Sequence, residues 1–281
     1  MNISELRQAY HRHICAEIVR IGSKGHPNFA DGSSRLSTEI AQRIVAKLGC
    51  SPRGDALPGQ TAGKRFEQIT LQFLQDAFEL LSHVRPGPWQ YACENTAIAN
   101  FEQYAHLAEI EQAFLSDATL SSTFGGNYIV RPDIVVSRTP LSDADLDQQG
   151  ILTSKVEHHA QYTPLRAANQ PRPILHAVIS CKWTIRHDRA QNTRTEALNL
   201  IRHRKGSLPH IVAITAEPFP SRIAALALGT GDLDCVYHFA LHELVEAVAE
   251  MGNEESQTLV NMMIEGRRLR DVSDLPFDLA V

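Results

Sequence analysis

Apolar residues in the first part of the chain recur every three or four positions, which is the spacing of an amphipathic helix. This spacing predicts helices over residues 4–20, 37–48, 63–83 and 97–115. Residues 21–36 contain three glycines and a proline, and we expect them to form a loop. The N-terminal region is therefore predicted to be mainly helical.

The pattern changes in the middle of the chain, where short apolar runs replace the helical spacing. These runs predict strands over residues 127–137, 173–183, 209–215 and 234–240. Helical spacing returns at residues 189–204, 220–228, 241–250 and 255–266. Strands that alternate with helices predict an α/β fold with a mixed central β-sheet flanked by helices. Residues 138–172 are polar and irregular, and a loop of this length is usually functional or part of an interface.

The amino-acid composition limits the classes of protein to which this chain can belong. Hydrophobic residues make up 43% of the 281 residues, which is enough for a substantial core. No apolar run approaches the length of a membrane span, and Met1–Glu5 lack the pattern of a signal peptide. The five cysteines are scattered without a Cys-x-x-Cys pair. We therefore expect neither a disulfide framework nor a cysteine zinc site, and a reducing cytoplasm fits best.

Charge is distributed unevenly along the chain, whose net charge is −5. Residues 182–205 contain seven basic and two acidic residues, a local charge of +5 that leaves −10 for the rest. A basic stripe on an acidic body would attract phosphates where contact is wanted and repel them elsewhere. The simpler alternative is a solvated helix face.

An acid, a lysine and a second acid lie around the apolar runs at 127–137 and 173–183. Asp133 stands at the start of the first run, and Lys182 lies near the end of the second, two residues after Ser180. Glu196 follows in the next predicted helix, and Glu67 in an earlier helix is a further candidate acid. Carboxylates can hold Mg²⁺, and a lysine can orient the attacking water, so this set suits metal-dependent phosphodiester hydrolysis.

Each of these residues also has an ordinary structural interpretation. A lysine at a strand end is most often solvated, and an aspartate after a proline is most often a turn residue. Glu196 and Glu67 taken alone would be solvated helix acids. The apolar run before Lys182 favours the catalytic interpretation, because a lysine carried on a buried strand needs carboxylate partners.

The segment after Lys182 carries side chains suited to reading G·C base pairs. Arginine can donate two hydrogen bonds to guanine, and aspartate can accept one from cytosine, so Arg186, Asp188 and Arg189 are candidates. Asp188 could equally be a helix N-cap. Arg222 is a second candidate, with a surface or phosphate-binding arginine as its alternative.

Several longer runs of residues make the chain recognisable. They are LPGQT (57–61), QYAHL (103–107), ISCKWTIR (179–186), DRAQN (188–192), LPHIV (208–212), TAEP (215–218), DCVYHFAL (234–241) and SDLP (273–276). With these runs the chain closely resembles the NgoMIV-like type IIF restriction endonucleases, the group within the PD-(D/E)xK nuclease superfamily that recognises CCGG-containing sites. The resemblance covers most of the chain and is weaker at 1–28 and 138–170.

The resemblance implies a restriction-endonuclease-like core with a helical N-terminal region, in a single domain over 1–281. Within it we expect a mainly helical part at 1–120, a catalytic and DNA-reading core at 121–245 and a C-terminal helical part at 246–281. The family's active-site pattern maps onto Asp133, Ser180, Lys182 and Glu196, with Glu67 as an auxiliary acid. Asp133, Glu196 and the backbone carbonyl of Cys181 are the expected ligands of Mg²⁺.

The resemblance also assigns residues to the DNA. Arg186, Asp188 and Arg189 would read the central CCGG, and Arg222 and Asp31 the outer G·C pair. Two further positions lie near the DNA, namely Ser33 and, on the minor-groove side, Gln60.

The implied enzyme is a type II site-specific deoxyribonuclease that cuts GCCGGC in double-stranded DNA after the first G and leaves four-base 5′ overhangs. The implied assembly is a homotetramer, a dimer of dimers that binds two DNA copies, with no membrane partner and no nucleotide cofactor. A companion methyltransferase would complete a restriction–modification system.

Two other functions remain open from the sequence. One is a nuclease with the same core that acts in repair or recombination without strict sequence preference. The other is a DNA-binding regulator without catalysis, in which the acid–lysine set is structural.

Overall fold

The structure is a computed structural model that describes residues 1–52, 57–93, 96–116, 130–150, 160–185, 187–229 and 231–281, without the side chains of 110, 111, 114, 115 and 187–190. The chain forms two compact units, each discontinuous in sequence. The first comprises Met1–Pro86, Ile179–Leu198 and His210–Val281, and the second comprises Gly87–Val178 and Asn199–Pro209. A single domain over 1–281 stays a prediction.

Three helices open the first unit: α1 (Ile3–Glu17), α2 (Arg35–Lys47) and α3 (Gly59–Leu80). Asn2 caps α1 through the backbone N–H of Glu5, and Ser34 caps α2, so each helix starts at a side chain that accepts one of its unpaired N–H groups. These helices confirm the predicted helical N-terminal region.

Aromatic packing joins α1 to α3. The ring of Tyr10 lies 5.1 Å from that of Phe73, centroid to centroid, and the Tyr10 hydroxyl lies 3.1 Å from Oγ1 of Thr70. All three residues are buried. The spacing that predicted the helices therefore marks the faces they bury against each other.

The described residues contain one six-stranded sheet. Its strands are β1 (Trp89–Cys93), β2 (Ile134–Arg138), β3 (Ile174–Lys182), β4 (His210–Thr215), β5 (Cys235–His238) and β6 (Leu269–Asp271), in that order across the sheet. β1 and β2 are antiparallel, whereas β4, β5 and β6 are parallel. The sheet is therefore mixed, as predicted, and its longest strand is β3.

The remaining α-helices of the described residues follow and separate the strands. They are α4 (Leu107–Ser116), α5 (Asp143–Leu146), α6 (His187–His203), α7 (Pro220–Ala227), α8 (Leu241–Met251), α9 (Glu254–Glu265) and α10 (Leu275–Asp278). A mixed sheet flanked by helices confirms the predicted fold class. None of the described helices is long and apolar enough to cross a membrane.

The predicted helix at 97–115 is wrong over its first half. Residues Ile98–Asn100 and Glu102–Tyr104 form two 3₁₀ turns, and only Leu107–Ser116 is an α-helix. The buried carboxamide of Gln103 donates to the carbonyl of Leu175 at 2.7 Å and accepts from its N–H at 2.9 Å. This pairing with a strand backbone fixes the turns, so a tertiary contact overrides the helical spacing.

The polar segment 138–172 contains more structure than expected. Arg166 makes a bidentate ion pair with Asp143 in α5, with N···O distances of 2.8 and 2.7 Å. The backbone of Leu141 bonds to Leu165 and Ala167 at 2.8 Å each. Residues 151–159 lie outside the described part.

One disulfide was not expected from the scattered cysteines. Cys15 at the end of α1 is bonded to Cys50 after α2, with their Cα atoms 5.1 Å apart. Cys93, Cys181 and Cys235 are not disulfide-bonded. A separation of 35 residues carries no local signal of pairing, because only the packing of the two helices brings these cysteines together.

A buried ion network ties α1 to α8 and β6 in the first unit. Arg7 donates to both oxygens of Asp271, at 2.9 and 2.8 Å, and to both oxygens of Glu243, at 3.0 and 2.7 Å. Asp271 is only 1% exposed. Burial alone would raise the pKa of Asp271, but the hydrogen bonds and charge of Arg7 lower it to about 2.

Candidate active site

Strand β3 carries two of the predicted catalytic residues near its end. Ser180 is 9% exposed and Cys181 is buried, whereas Lys182, the last residue of the strand, is partly exposed. Alternate residues of a strand share a face, so Ser180 and Lys182 point the same way. The lysine therefore emerges where the buried strand reaches solvent.

The backbone at Lys182 is held by the neighbouring strand. Its carbonyl accepts hydrogen bonds from the hydroxyl of Thr215 at 2.8 Å and from the N–H of Ala216 at 3.2 Å. Both residues stand at the end of β4, and both are buried. The position of the Lys182 backbone is thus fixed by groups that solvent does not reach.

The residue after Lys182 anchors the strand end on the opposite face. Trp183 is buried against Phe29, Phe66 and Phe239, with ring centroids 5.4, 5.3 and 6.0 Å away. Such tilted and edge-on aromatic pairs contribute about 0.5–1.5 kcal/mol each beyond the area they bury. The aromatic cluster therefore fixes the chain on one side of the end of β3, and Lys182 lies on the other side.

Two of the predicted acids lie on helices of the same unit. Glu196 is exposed on α6, between the buried Thr193 and Ala197 that form the inner face of this helix. Glu67 is partly exposed on α3, directly after the buried Phe66. Both carboxylates are accessible to solvent, and each takes part in interactions within the protein.

Asp133 belongs to the second unit, directly before β2. It is partly exposed, and Ile134, Val135 and Val136 after it are buried. The strand begins one residue after the acid, and residues 130–133 are not part of it, whereas residues 127–129 lie outside the described part. The convergence of Asp133 with Lys182 and Glu196 stays a prediction.

The predicted metal ligands are hard oxygen donors, which suit Mg²⁺. They comprise only two carboxylates, Asp133 and Glu196, and the third donor is the backbone carbonyl of Cys181. In the part of the chain that is described, no group of three or more His, Cys, Asp or Glu side chains could hold a metal ion. A site of the predicted kind would not form such a group.

Three of the predicted DNA contacts meet in the first unit. The guanidinium of Arg222, in the first turn of α7, pairs with Oδ2 of Asp31. Oδ1 of Asp31 accepts from the hydroxyl of Ser33 at 2.6 Å and from its N–H at 3.0 Å. The hydrogen bonds from Ser33, together with Arg222, lower the pKa of Asp31, so this carboxylate is ionised at neutral pH.

The other predicted DNA contacts are less defined. Gln60 is exposed as the second residue of α3. Arg186 lies outside the described residues, and the side chains of Asp188 and Arg189 are not described. Helix α6 begins at His187, so Asp188 is a helical residue and not the N-cap that was its structural alternative.

The basic stripe at 182–205 is only partly available to an external anion. Arg194 donates to the carbonyls of Ala225 and Leu226 at 2.9 and 3.2 Å, and its Nε lies 3.6 Å from Asp232. By contrast, Arg202 and Lys205 are exposed. The simple count of charges therefore overstates the surface that could meet phosphate.

A buried acid that the sequence interpretation did not single out lies next to Arg222. Glu217 is 0% exposed, and its Oε2 accepts from the N–H of Ile185 at 2.9 Å and lies 3.8 Å from Nη1 of Arg222. Its Oε1 accepts from the N–H of Phe219 at 3.2 Å. Burial raises the pKa of Glu217 to about 7, against the opposing effect of these partners.

Sequence comparison decides the family. A model of the NgoMIV restriction enzyme family matches residues 10–281. The type II restriction enzyme NgoMIV of Neisseria gonorrhoeae is 46% identical over 280 residues, which cover 98% of this chain and 97% of that enzyme. The chain belongs to the NgoMIV restriction enzyme family.

Membership of the NgoMIV family confirms the predicted enzyme class, a type II restriction endonuclease that cleaves DNA at specific sites. The match runs through both compact units. It therefore includes the segments that carry Asp133, Lys182 and Arg222.

Two solved structures resemble the fold weakly. The type IIF restriction endonuclease Bse634I with cognate DNA is 14% identical, with a TM-score of 0.35 over 81% of this chain and 83% of that one. The PspGI–substrate DNA complex is 12% identical, with a TM-score of 0.28 over 89% and 95%. Similarity at this level carries no argument about the site of the NgoMIV-family chain.

One signal in the sequence could have pointed to Glu217. Glu217 stands two residues after the apolar run that forms β4, and such a run predicts a buried environment in which a carboxyl needs partners. Nothing in the local pattern, however, names Ile185 or Arg222 as those partners.

Proposed function

We propose that this chain is a Mg²⁺-dependent endonuclease that cuts both strands of GCCGGC after the first G, leaving 5′-CCGG overhangs. The observation that carries the proposal is the anchored end of β3, where Lys182 emerges from a strand fixed by Thr215 on one side and Trp183 on the other. The 46% identity to NgoMIV over almost the whole chain supports the assignment of the target.

The metal site would use Asp133, Glu196 and the backbone carbonyl of Cys181. When bound, Mg²⁺ would supply positive charge at the scissile phosphate and acidify the attacking water. The all-oxygen donor set supports a hard cation.

The other catalytic roles belong to side chains of the protein. The ammonium of Lys182 orients the water and stabilises the negative charge that develops on the phosphate. Ser180, two residues earlier on the same face, offers a hydroxyl where a carboxylate would otherwise stand. Glu196 provides the missing charge from α6, and Glu67 is an auxiliary acid.

The DNA is read by two sets of side chains. Arg186, Asp188 and Arg189 contact the central CCGG, and Arg222 and Asp31 contact the outer G·C pair. Ser33 and Gln60 lie beside the DNA. The proximity of Asp31, Ser33 and Arg222 supports a common role for these three.

The target and the assembly share a symmetry. A palindromic site presents two identical half-sites, which a two-fold protein dimer matches. We assign the chain to a homotetramer, a dimer of dimers, that acts on double-stranded DNA in the cytoplasm. Sizing the protein with and without a GCCGGC duplex tests this assembly.

The decisive experiment is digestion of a plasmid that carries a known number of GCCGGC sites. With Mg²⁺ we expect discrete fragments whose sequenced ends begin with 5′-CCGG, and with a chelator no cleavage. A plasmid without the site is the matched control. A smear would favour the unspecific nuclease, ends at another sequence would refute the target, and the absence of new 5′-phosphate ends would favour the regulator.

A further inference from the structure

Glu217 is a buried carboxyl whose two oxygens are engaged by different parts of the first unit. Oε2 accepts from the N–H of Ile185 at 2.9 Å, and Oε1 accepts from that of Phe219 at 3.2 Å. Arg222 adds a third partner, with Nη1 at 3.8 Å from Oε2. None of the roles proposed for cleavage or base reading involves Glu217.

The partners of Glu217 lie beside both proposed reading segments. Ile185 directly precedes Arg186 in the chain. Phe219 is the N-cap residue of α7, and Arg222 in the first turn of that helix pairs with Asp31. One side chain therefore contacts the backbone that leads into the central reading segment and the guanidinium assigned to the outer base pair.

The simpler explanation of Glu217 is a residue that stabilises the turn between β4 and α7. That role accounts for the hydrogen bond to Phe219, which lies two residues away. It does not account for the hydrogen bond from the N–H of Ile185, which lies 32 residues away in sequence. Burying a carboxyl is costly, as the rise of its pKa to about 7 shows, and groups perturbed in this way concentrate at functional sites.

We propose that Glu217 is a positioning residue for DNA recognition, which holds the backbone at Ile185 and the guanidinium of Arg222 in a fixed relation so that the central and outer base pairs are read together. The proposal rests on the proposed function. Glu217 touches no reacting atom and acts through the residues it holds.

The test compares the wild type with Glu217→Gln. In glutamine an NH2 group replaces one of the two oxygens, so either Ile185 or Phe219 loses its acceptor, and the neutral side chain does not attract Arg222. We measure kcat/KM on GCCGGC, on a site with a substituted outer pair and on a site with a substituted central pair. Preference for the cognate site should fall about tenfold at both positions, the size expected for a lost hydrogen bond to a charged group.

A matched control is Asp234→Asn. Oδ2 of Asp234 also accepts a backbone N–H, that of Ile211 at 2.9 Å, but Ile211 lies at the other end of β4 from Glu217. Its preference among the three sites should equal that of the wild type. Thermal unfolding of each variant checks the fold. If Glu217→Gln does not fold, Glu217→Asp carries the test, because it keeps the charge and both oxygens but withdraws them by one methylene group.

The outcomes separate this proposal from the proposed function. A wild type that cuts none of the sites refutes the function itself. If the wild type cuts GCCGGC and a folded Glu217 variant keeps the wild-type preference, the positioning role is overturned. A uniform fall of kcat/KM on all three sites also overturns it, because a purely structural role predicts that result.

Discussion

Arg222 and Asp31 form an ion pair although 191 positions separate them in the sequence. In the protein without DNA the two groups satisfy each other, and Ser33 holds the second oxygen of the aspartate. Reading a G·C pair requires that the guanidinium turn to guanine and the carboxylate to the amino group of cytosine. The ion pair thus holds the two proposed reading side chains next to each other.

Replacement of Arg222 by alanine should weaken discrimination at the outer base pair by about 1–3 kcal/mol, because one bidentate contact to guanine is lost. Discrimination at the central pairs should change less. Rates of cleavage on singly substituted sites measure both effects. Arg35→Ala is a suitable control, because Arg35 is 91% exposed and pairs with Glu39 one turn later on α2. Equal losses at every base pair would contradict the assignment.

Replacement of Lys182 by alanine should abolish cleavage and leave specific DNA binding intact, because the role proposed for Lys182 is at the phosphate and not at the bases. Gel shift with cognate and non-cognate duplexes measures binding, and end mapping measures cleavage. Lys205→Ala removes an exposed lysine from the same basic stripe and should still cut. Cleavage by the Lys182 variant at the wild-type rate would refute the catalytic assignment.

Glu217 should make the protein less stable as the pH rises. The pKa of this carboxyl is about 7 in the folded chain and about 4.5 in the unfolded chain, so the folded state binds the extra proton between these values. Its contribution to stability is complete below about pH 4.5 and is lost as the pH passes 7, with a total of about 3 kcal/mol at most. The difference in unfolding free energy between the wild type and Glu217→Gln, measured by urea from pH 5 to pH 8, should change with this slope. A constant difference would show that the group does not titrate in this range.

Arg7→Met should destabilise the protein by about 3–5 kcal/mol, because it leaves the buried carboxylate of Asp271 without its cation. Arg35→Met, at an exposed ion pair, should change stability far less than Arg7→Met. The low pKa of Asp271 stabilises the wild type above about pH 4, and this contribution is lost as the pH falls towards 2. Urea unfolding at pH 7 and pH 3 tests both statements, and an Arg7 variant as stable as the Arg35 variant would refute the first.

Reduction of the Cys15–Cys50 bond should lower the unfolding free energy by about 3–4 kcal/mol, the entropy model's value for a loop of 35 residues. Cys15→Ser should show the same loss and no further response to a reducing agent. Cys93→Ser, at a cysteine outside the disulfide, should respond to reduction as the wild type does. An unchanged melting temperature of the reduced wild type would show that the bond contributes little.

The sequence predicts best those elements whose signal is local. β3 runs from Ile174 to Lys182 against a predicted 173–183, because a long apolar run after Pro173 has few alternatives. β1 and β6 were missed, since five and three residues of mixed polarity show no alternation. Their partners in the sheet, not their own patterns, make them strands.

The features of the candidate site also divide into those that a local pattern predicts and those that depend on distant residues. That Ser180 and Lys182 share a face follows from the period of a strand. The ion pair of Arg222 with Asp31 was not predicted; the family resemblance only assigned both residues to the outer G·C pair. Glu217 was not singled out, because the apolar run before it suggests burial but does not name its partners, of which Ile185 lies 32 positions away.

The hydroxyl of Thr215 donates to the carbonyl of Lys182 and accepts from the N–H of Glu217, at 2.8 and 3.0 Å. A single hydroxyl oxygen therefore links the backbone of Lys182, which is assigned to cleavage, to the backbone of Glu217, which is assigned to positioning the reading segments. Substitutions that are selected for a new target sequence and that act through this part of β4 should therefore also change the rate of cleavage. Variants that change the preferred target sequence but keep the wild-type rate of cleavage are therefore to be sought away from Thr215, at the solvent end of α7.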